Sequence, residues 1–131
     1  MAYDPDIMDR LFNIAQSRES VARARIVAGI VHKSLREPIL AFNSMKTHPF
    51  QAKYSKHEHA ICLHAETSAI HKSLKVLDVD QLARADLYIV RAKKVGGKWV
   101  PGLAKPCVGC ARCIATFDIK NVYWTKEGAR F

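Results

Sequence analysis

Two short motifs constrain this chain more than anything else in it. One is His64-Ala65-Glu66; the other, well downstream, is Pro106-Cys107-Val108-Gly109-Cys110. Together they carry one imidazole and two thiols, all good zinc ligands, and a carboxylate that ligation does not require. Three protein ligands leave a fourth position open, which marks catalytic rather than structural zinc. Whatever fold the chain adopts must bring these two segments to one point.

The patterning around the motifs predicts a layered α/β domain. From Asp6 to about Arg18, Ile7, Met8, Leu11, Phe12, Ile14 and Ala15 fall at helical spacing, and Asp4 before Pro5 is an N-cap with proline in the first turn. Residues 25–31 form an apolar, β-branched run that reads as a buried strand. Glu37-Pro38 introduces a second strand, Ile39-Leu40-Ala41-Phe42, ending at Asn43, so the turn of a hairpin falls near Lys33 to Arg36. Ser44 to His59 is polar, contains Pro49, and reads as a long functional loop. Leu63 to Leu77 reads as a helix with Ala65, Ala69, Ile70, Leu74 and Leu77 near one face. Leu87 to Val90 is a third strand, and Val95 to Trp99 a turn. A second loop-to-helix junction starts at Pro106, its helix reaching about Phe117, and Asn121 to Trp124 is a fourth strand before a tail. Helices thus alternate with strands, with no internal repeat or low-complexity tract.

The chain has 131 residues, 49% of them hydrophobic, enough for one packed domain over residues 1–131. No apolar run is long enough for a bilayer, and the acidic start Met1-Ala2-Tyr3-Asp4 lacks the build of a signal peptide. A cytoplasmic protein with no membrane partner is the expectation. Cys107, Cys110 and Cys113 crowd together, which suits metal binding better than a disulfide framework. A net charge of +9 and a pI near 9.6 favour an anionic partner, either a nucleotide phosphate or a polynucleotide backbone. The plain alternative is a solvated basic surface.

Hydrolytic deamination at an amidine-like carbon needs ionised water at neutral pH, and zinc lowers the pKa of bound water from about 15.7 toward about 7. It also needs a group that protonates the ring nitrogen and then the leaving amine, which one carboxylate can do in turn. The order H-x-E…P-C-x-x-C is the signature of the zinc deaminases. His64 and Glu66 would not share a face in mid-helix, but at a helix N-terminus they can flank one point. Cys107 and Cys110 straddle a second helix start, where exposed N–H groups favour thiolate.

On these residues the chain resembles the cytidine deaminase superfamily, most closely its deoxycytidylate deaminase branch and small phage-encoded relatives, from about Arg18 to Trp124. The resemblance implies a three-layer α/β/α domain with a mixed sheet of four to five strands. It implies Zn2+ held by His64, Cys107 and Cys110, with Glu66 the catalytic proton shuttle. It implies substrate contacts from the Ala65 N–H to the pyrimidine carbonyl and from Asn43 to sugar and base. Arg18-Glu19-Ser20 partly matches a stretch that lies near the nucleotide in relatives, and Lys46 to Ala52, with Lys46 and His48, looks like their substrate loop. The implied reaction is deoxycytidine monophosphate (dCMP) to dUMP plus ammonia, carried out in the cytoplasm, or in the host cytoplasm for a phage protein, by a homo-oligomer.

Other residues have blander readings. Cys107, Cys110 and Cys113 also spell a C-x-x-C-x-x-C string that could hint at an iron–sulfur cluster, but Cys113 and Cys62 read as packed apolar residues. His57 and His59 read as solvated loop, Phe117 as core and His71 as surface, while Phe50 and Tyr54 are aromatic residues that could stack on a base. Arg112 can point either toward the thiolates or outward. Two further functions stay open: deamination within a polynucleotide, of transfer-RNA adenosine or single-stranded cytosine, and a non-enzymatic zinc domain that binds a partner. The charge favours the first, although Arg91-Ala92-Lys93-Lys94 with Lys98 reads as an edge or turn rather than a track. Retention of Glu66 speaks against the second.

Overall fold

The computed structural model describes residues 3–17, 25–43 and 64–128. The chain runs α1 (Pro5–Ser17), β1 (Arg25–Val31), β2 (Ile39–Phe42), α2 (Ala65–Ser73), a short α3 (Val79–Leu82), β3 (Asp86–Val95), β4 (Lys98–Gly102), α4 (Val108–Thr116) and β5 (Asn121–Trp124). The strands form one mixed five-stranded sheet in which β3 is central. β1 pairs antiparallel with β2 and β3, β4 pairs antiparallel with β3, and β5 runs parallel to β3.

Period-two alternation sorts the sheet residues between two cores. Ala28, Ile30, Ala41, Leu87 and Ile89 face the cluster that holds Ala65, Ala69 and Ile70 of α2 and Cys113 of α4. Val27, Tyr88, Val90 and Ala92 face Met8, Leu11, Phe12 and Ala15 of α1. The result is the expected three-layer α/β/α arrangement. α1 packs directly on β1: a Cβ built at Gly29 would stand in contact, 3.4 Å from Leu11 Cδ1 and Leu40 Cδ2. Its entry is tied down by the Asp4 N–H, which donates to the Tyr88 hydroxyl at 2.9 Å.

Several elements depart from expectation. β3 reaches Val95, and a strand β4 follows where a turn alone was expected. Gly96 and Gly97, with φ of +56° and +81°, make the two-residue turn between them. Pro101 and Gly102 hide β4 in the sequence, since both are poor strand residues tolerated at edges. The basic stretch Arg91 to Lys94 therefore belongs to the central strand, and Lys93 is paired with Glu127. β4 and β5 share one edge of β3 end to end, and Thr125 fastens the junction. Its N–H donates to Ile89 O at 3.1 Å, while its hydroxyl accepts from Arg91 N at 3.1 Å and donates to Gly102 O at 2.5 Å.

α2 ends at Ser73, short of Leu77, and continues as turn to a capping box on α3, in which Asp78 Oδ1 accepts from Gln81 N at 2.7 Å. It is also buried almost all round rather than on one face. Thr67 and Ser73 are satisfied by the helix itself, donating to His64 O at 3.1 Å and Ala69 O at 2.7 Å. α4 ends in a Schellman motif. Asp118 takes φ +53°, the Ile119 N–H reaches Ile114 O, and the Asp118 N–H reaches Ala115 O.

Candidate metal centre

Both motifs sit at helix starts, as expected. His64 is the N-cap of α2, with extended backbone (φ −79°, ψ 158°), and Cys107 is the N-cap of α4 (φ −70°, ψ 172°). An N-cap side chain points back over the first turn, toward N–H groups that have no intrahelical acceptor. The Cys107 sulfur uses this position to accept from Cys110 N at 3.4 Å. α2 and α4 lie side by side on one face of the sheet, so their first turns meet.

Where they meet, His64 Nδ1 lies 3.2 Å from Cys110 Sγ and 3.4 Å from Cys107 Sγ. All three donor atoms are within 4.8 Å of one another. A tetrahedral zinc with Zn–N near 2.0–2.1 Å and Zn–S near 2.3 Å sets its nitrogen and sulfur ligands about 3.6 Å apart. The donor set therefore fits zinc in both chemistry and spacing. Cys110 is buried, His64 half-buried and Cys107 exposed, so the group opens outward on the Cys107 side.

The electrostatics follow from this crowding. The Cys107 thiol is pushed down to about 3, first by the hydrogen bond from Cys110 and then by that from His64. Cys110 is pushed the other way, first by its hydrogen bond to Cys107 and then by burial. The hydrogen bond to Cys107 is the main reason His64 is raised. A thiolate held by two donors is the form that ligates a metal. Glu66, next along the chain from Ala65, is 6% exposed and hydrogen-bonded with Cys110. Burial, the largest cause, lifts its carboxyl above the usual carboxylate range.

The remaining expectations divide. Ala65 opens α2 and is fully buried beside the donor group. Asn43 stands just past β2, where Oδ1 accepts from Ile26 N at 3.2 Å and its own N–H donates to Ile26 O at 3.3 Å, closing the β1–β2 ladder. Cys113 is fully buried in the core beside α2, as expected of a packed residue, and is not part of the donor group. Phe117 packs against that core, and Arg112 is exposed. His71 is half-buried, deeper than the surface position expected, because α2 is enclosed on nearly every side. Arg18, Lys46, His48, Phe50, Tyr54, His57, His59 and Cys62 lie outside the described residues. Thr67 went unnoticed in the sequence. Its hydroxyl donates to the His64 carbonyl, and a threonine within the first turn of the expected helix was the available signal.

Comparison with known proteins agrees with this geometry. The model of the cytidine and deoxycytidylate deaminase zinc-binding region matches residues 1–126. Among solved structures, the apo dCMP deaminase from the cyanophage S-TIM5 superposes with a TM-score of 0.58 at 20% identity, covering 95% of this chain and 86% of that one. No curated protein matches the chain. No helix among the described residues is long and apolar enough to cross a membrane.

Proposed function

The chain belongs to the cytidine and deoxycytidylate deaminase family, a family of zinc-dependent hydrolases, and from that premise we propose that its substrate is dCMP, converted to dUMP and ammonia. The observation that carries this reading is the meeting of His64, Cys107 and Cys110 within 4.8 Å at two helix N-termini, with the buried Glu66 carboxyl hydrogen-bonded against Cys110.

In this reading His64 Nδ1 and the sulfurs of Cys107 and Cys110 hold the zinc, which supplies the acidification of water that neutral hydrolysis requires. The positive ends of α2 and α4 offset the charge of the thiolates. Glu66 accepts a proton as the C4–oxygen bond forms and places it on N3 of the pyrimidine. It then moves a second proton to the exocyclic nitrogen, so that the C4–N bond breaks and the amine leaves as ammonia. Burial of Glu66 holds its carboxyl in place and keeps bulk water from competing for these protons. The Ala65 N–H, at the open start of α2, orients the base through its carbonyl oxygen. Asn43 positions the sugar from the end of β2, and Arg18, Lys46 and His48 are the candidate contacts to phosphate and sugar.

The +9 charge favours a polynucleotide substrate as the second reading. Against it, the Trp99 ring, an aromatic platform within the basic region, already carries Arg25 at 4.4 Å and Lys94 at 5.7 Å. The test is a panel of cytidine, deoxycytidine, dCMP, its triphosphate and a cytosine-containing single strand, with ammonia and base absorbance followed on zinc-loaded protein. Preferred turnover of dCMP is expected. Turnover of the strand alone overturns the proposal.

A further inference from the structure

At the β1–β2 turn, where α1 runs past the end of the sheet, a cleft of about 180 Å³ lies between residues of the two cores. Ile7 and Leu35 contribute apolar wall, and Arg10, His32, Arg36 and Glu37 contribute the polar groups. His32 is only 5% exposed. Its Nδ1 accepts from Ser34 N at 3.1 Å and lies 2.7 Å from Ser34 Oγ. A ring nitrogen that accepts a backbone N–H carries no proton, so in the neutral ring the proton is on Nε2. His32 lines the cleft, and with Nδ1 held by Ser34, Nε2 is the ring nitrogen left to meet a ligand there. Nε2 is not among the sealed, unpartnered buried atoms and has no partner among the described residues.

The cleft is therefore rich in donors. Arg36 is exposed and makes no ion pair among the described residues, whereas Arg10 is engaged by the Glu37 carboxylate. Glu37 is the carboxylate of the cleft, and it is already committed. We propose that this cleft is an oxyanion-binding site, taking a phosphate or carboxylate head group between the His32 Nε2–H and the Arg36 guanidinium. A planar fork of N–H donors matches either head group, and a buried imidazole N–H supplies a fixed third donor. The site needs neither zinc nor Glu66, so it stands apart from the deaminase reading.

The experiment uses full-length, zinc-loaded, 15N-labelled protein at fixed pH. Sodium phosphate, and separately sodium benzoate, are added against sodium chloride of equal ionic strength. The His32 ring nitrogens and the backbone amides of residues 32–37 are followed by NMR. Saturable shifts confined to this turn and to α1 near Arg10 are expected. R36Q should weaken binding by about tenfold, the effect of losing one charge-assisted contact. H32N, which keeps an acceptor for the Ser34 N–H but loses the reach of Nε2, should do the same. Arg36 is exposed, so R36Q decides the matter even where H32N disturbs the turn. A response to phosphate alone marks a phosphate site. A response to benzoate alone marks an organic acid that also uses Ile7 and Leu35. No saturable shift with either anion, or shifts unchanged in R36Q, overturns the proposal.

Discussion

Glu66→Gln is the most direct test of the proposed chemistry, because the structure separates its expected effects. The side chain is 6% exposed, so an amide of equal volume leaves no cavity. Gln can still hydrogen-bond the Cys110 sulfur, its amide N–H donating to the zinc-bound thiolate, and none of His64, Cys107 or Cys110 is altered. Zinc content should stay at wild-type stoichiometry, and unfolding free energy should move by no more than about 1.5 kcal/mol. What Gln cannot do is accept and return a proton. A positioned acid–base group contributes about 10²–10⁴-fold to a rate, or about 3–5.5 kcal/mol at 1.36 kcal/mol per decade. In the proposed mechanism Glu66 serves two transfers in turn, so the loss in kcat should be at least about 10²-fold whichever transfer limits the rate. The assay is the change in absorbance as dCMP is consumed, run beside metal analysis and urea unfolding of the same preparation. A variant within tenfold of wild type refutes the shuttle role. A variant that loses both zinc and activity refutes the separation of Glu66 from the ligand set.

Removal of the metal by a chelator should lower the melting temperature and abolish activity, with zinc restoring both, because binding to the native state alone adds to stability. Cys107→Ala should lose zinc stoichiometry and respond little to chelator, as thermal denaturation with and without added metal would show. Leu11→Ala should cost about 3–4 kcal/mol in urea unfolding, since Leu11 is fully buried where α1 meets Gly29 of β1; a cost under about 1 kcal/mol would mean that α1 is not a packed layer. Asp78→Ala breaks the capping box of α3 and should cost about 1 kcal/mol with kcat unchanged.

The resemblance in fold is legible because hydrophobic alternation survives translation into structure. Residues 25–31 and 39–42 appear as the β1–β2 hairpin at the expected positions, and α1 and α4 end within a residue or two of expectation. The misses share a cause. β4 contains Pro101 and Gly102, whose intrinsic preferences oppose a strand, and it forms because β3 offers an edge and the Gly96-Gly97 turn delivers the chain to it. α2 looks one-sided in its periodicity, yet Glu66, Thr67, Ser68 and Ser73 are buried as well, because α4 and the sheet enclose it.

The sequence by itself carried the elements of the proposed chemistry. Which atoms can ligate zinc, and which carboxylate is left over for protons, are properties of His64, Glu66, Cys107 and Cys110 and of their spacing within each motif. The tertiary structure decided that these atoms meet. No local rule relates residue 64 to residue 107; the packing of α2 against α4 on one face of the sheet places His64 Nδ1 within 3.4 Å of both sulfurs. Burial of Glu66, and the cleft around His32 at the β1–β2 turn, are likewise products of packing. Environment depends on what the rest of the chain brings alongside a residue, and short-range pattern does not contain that.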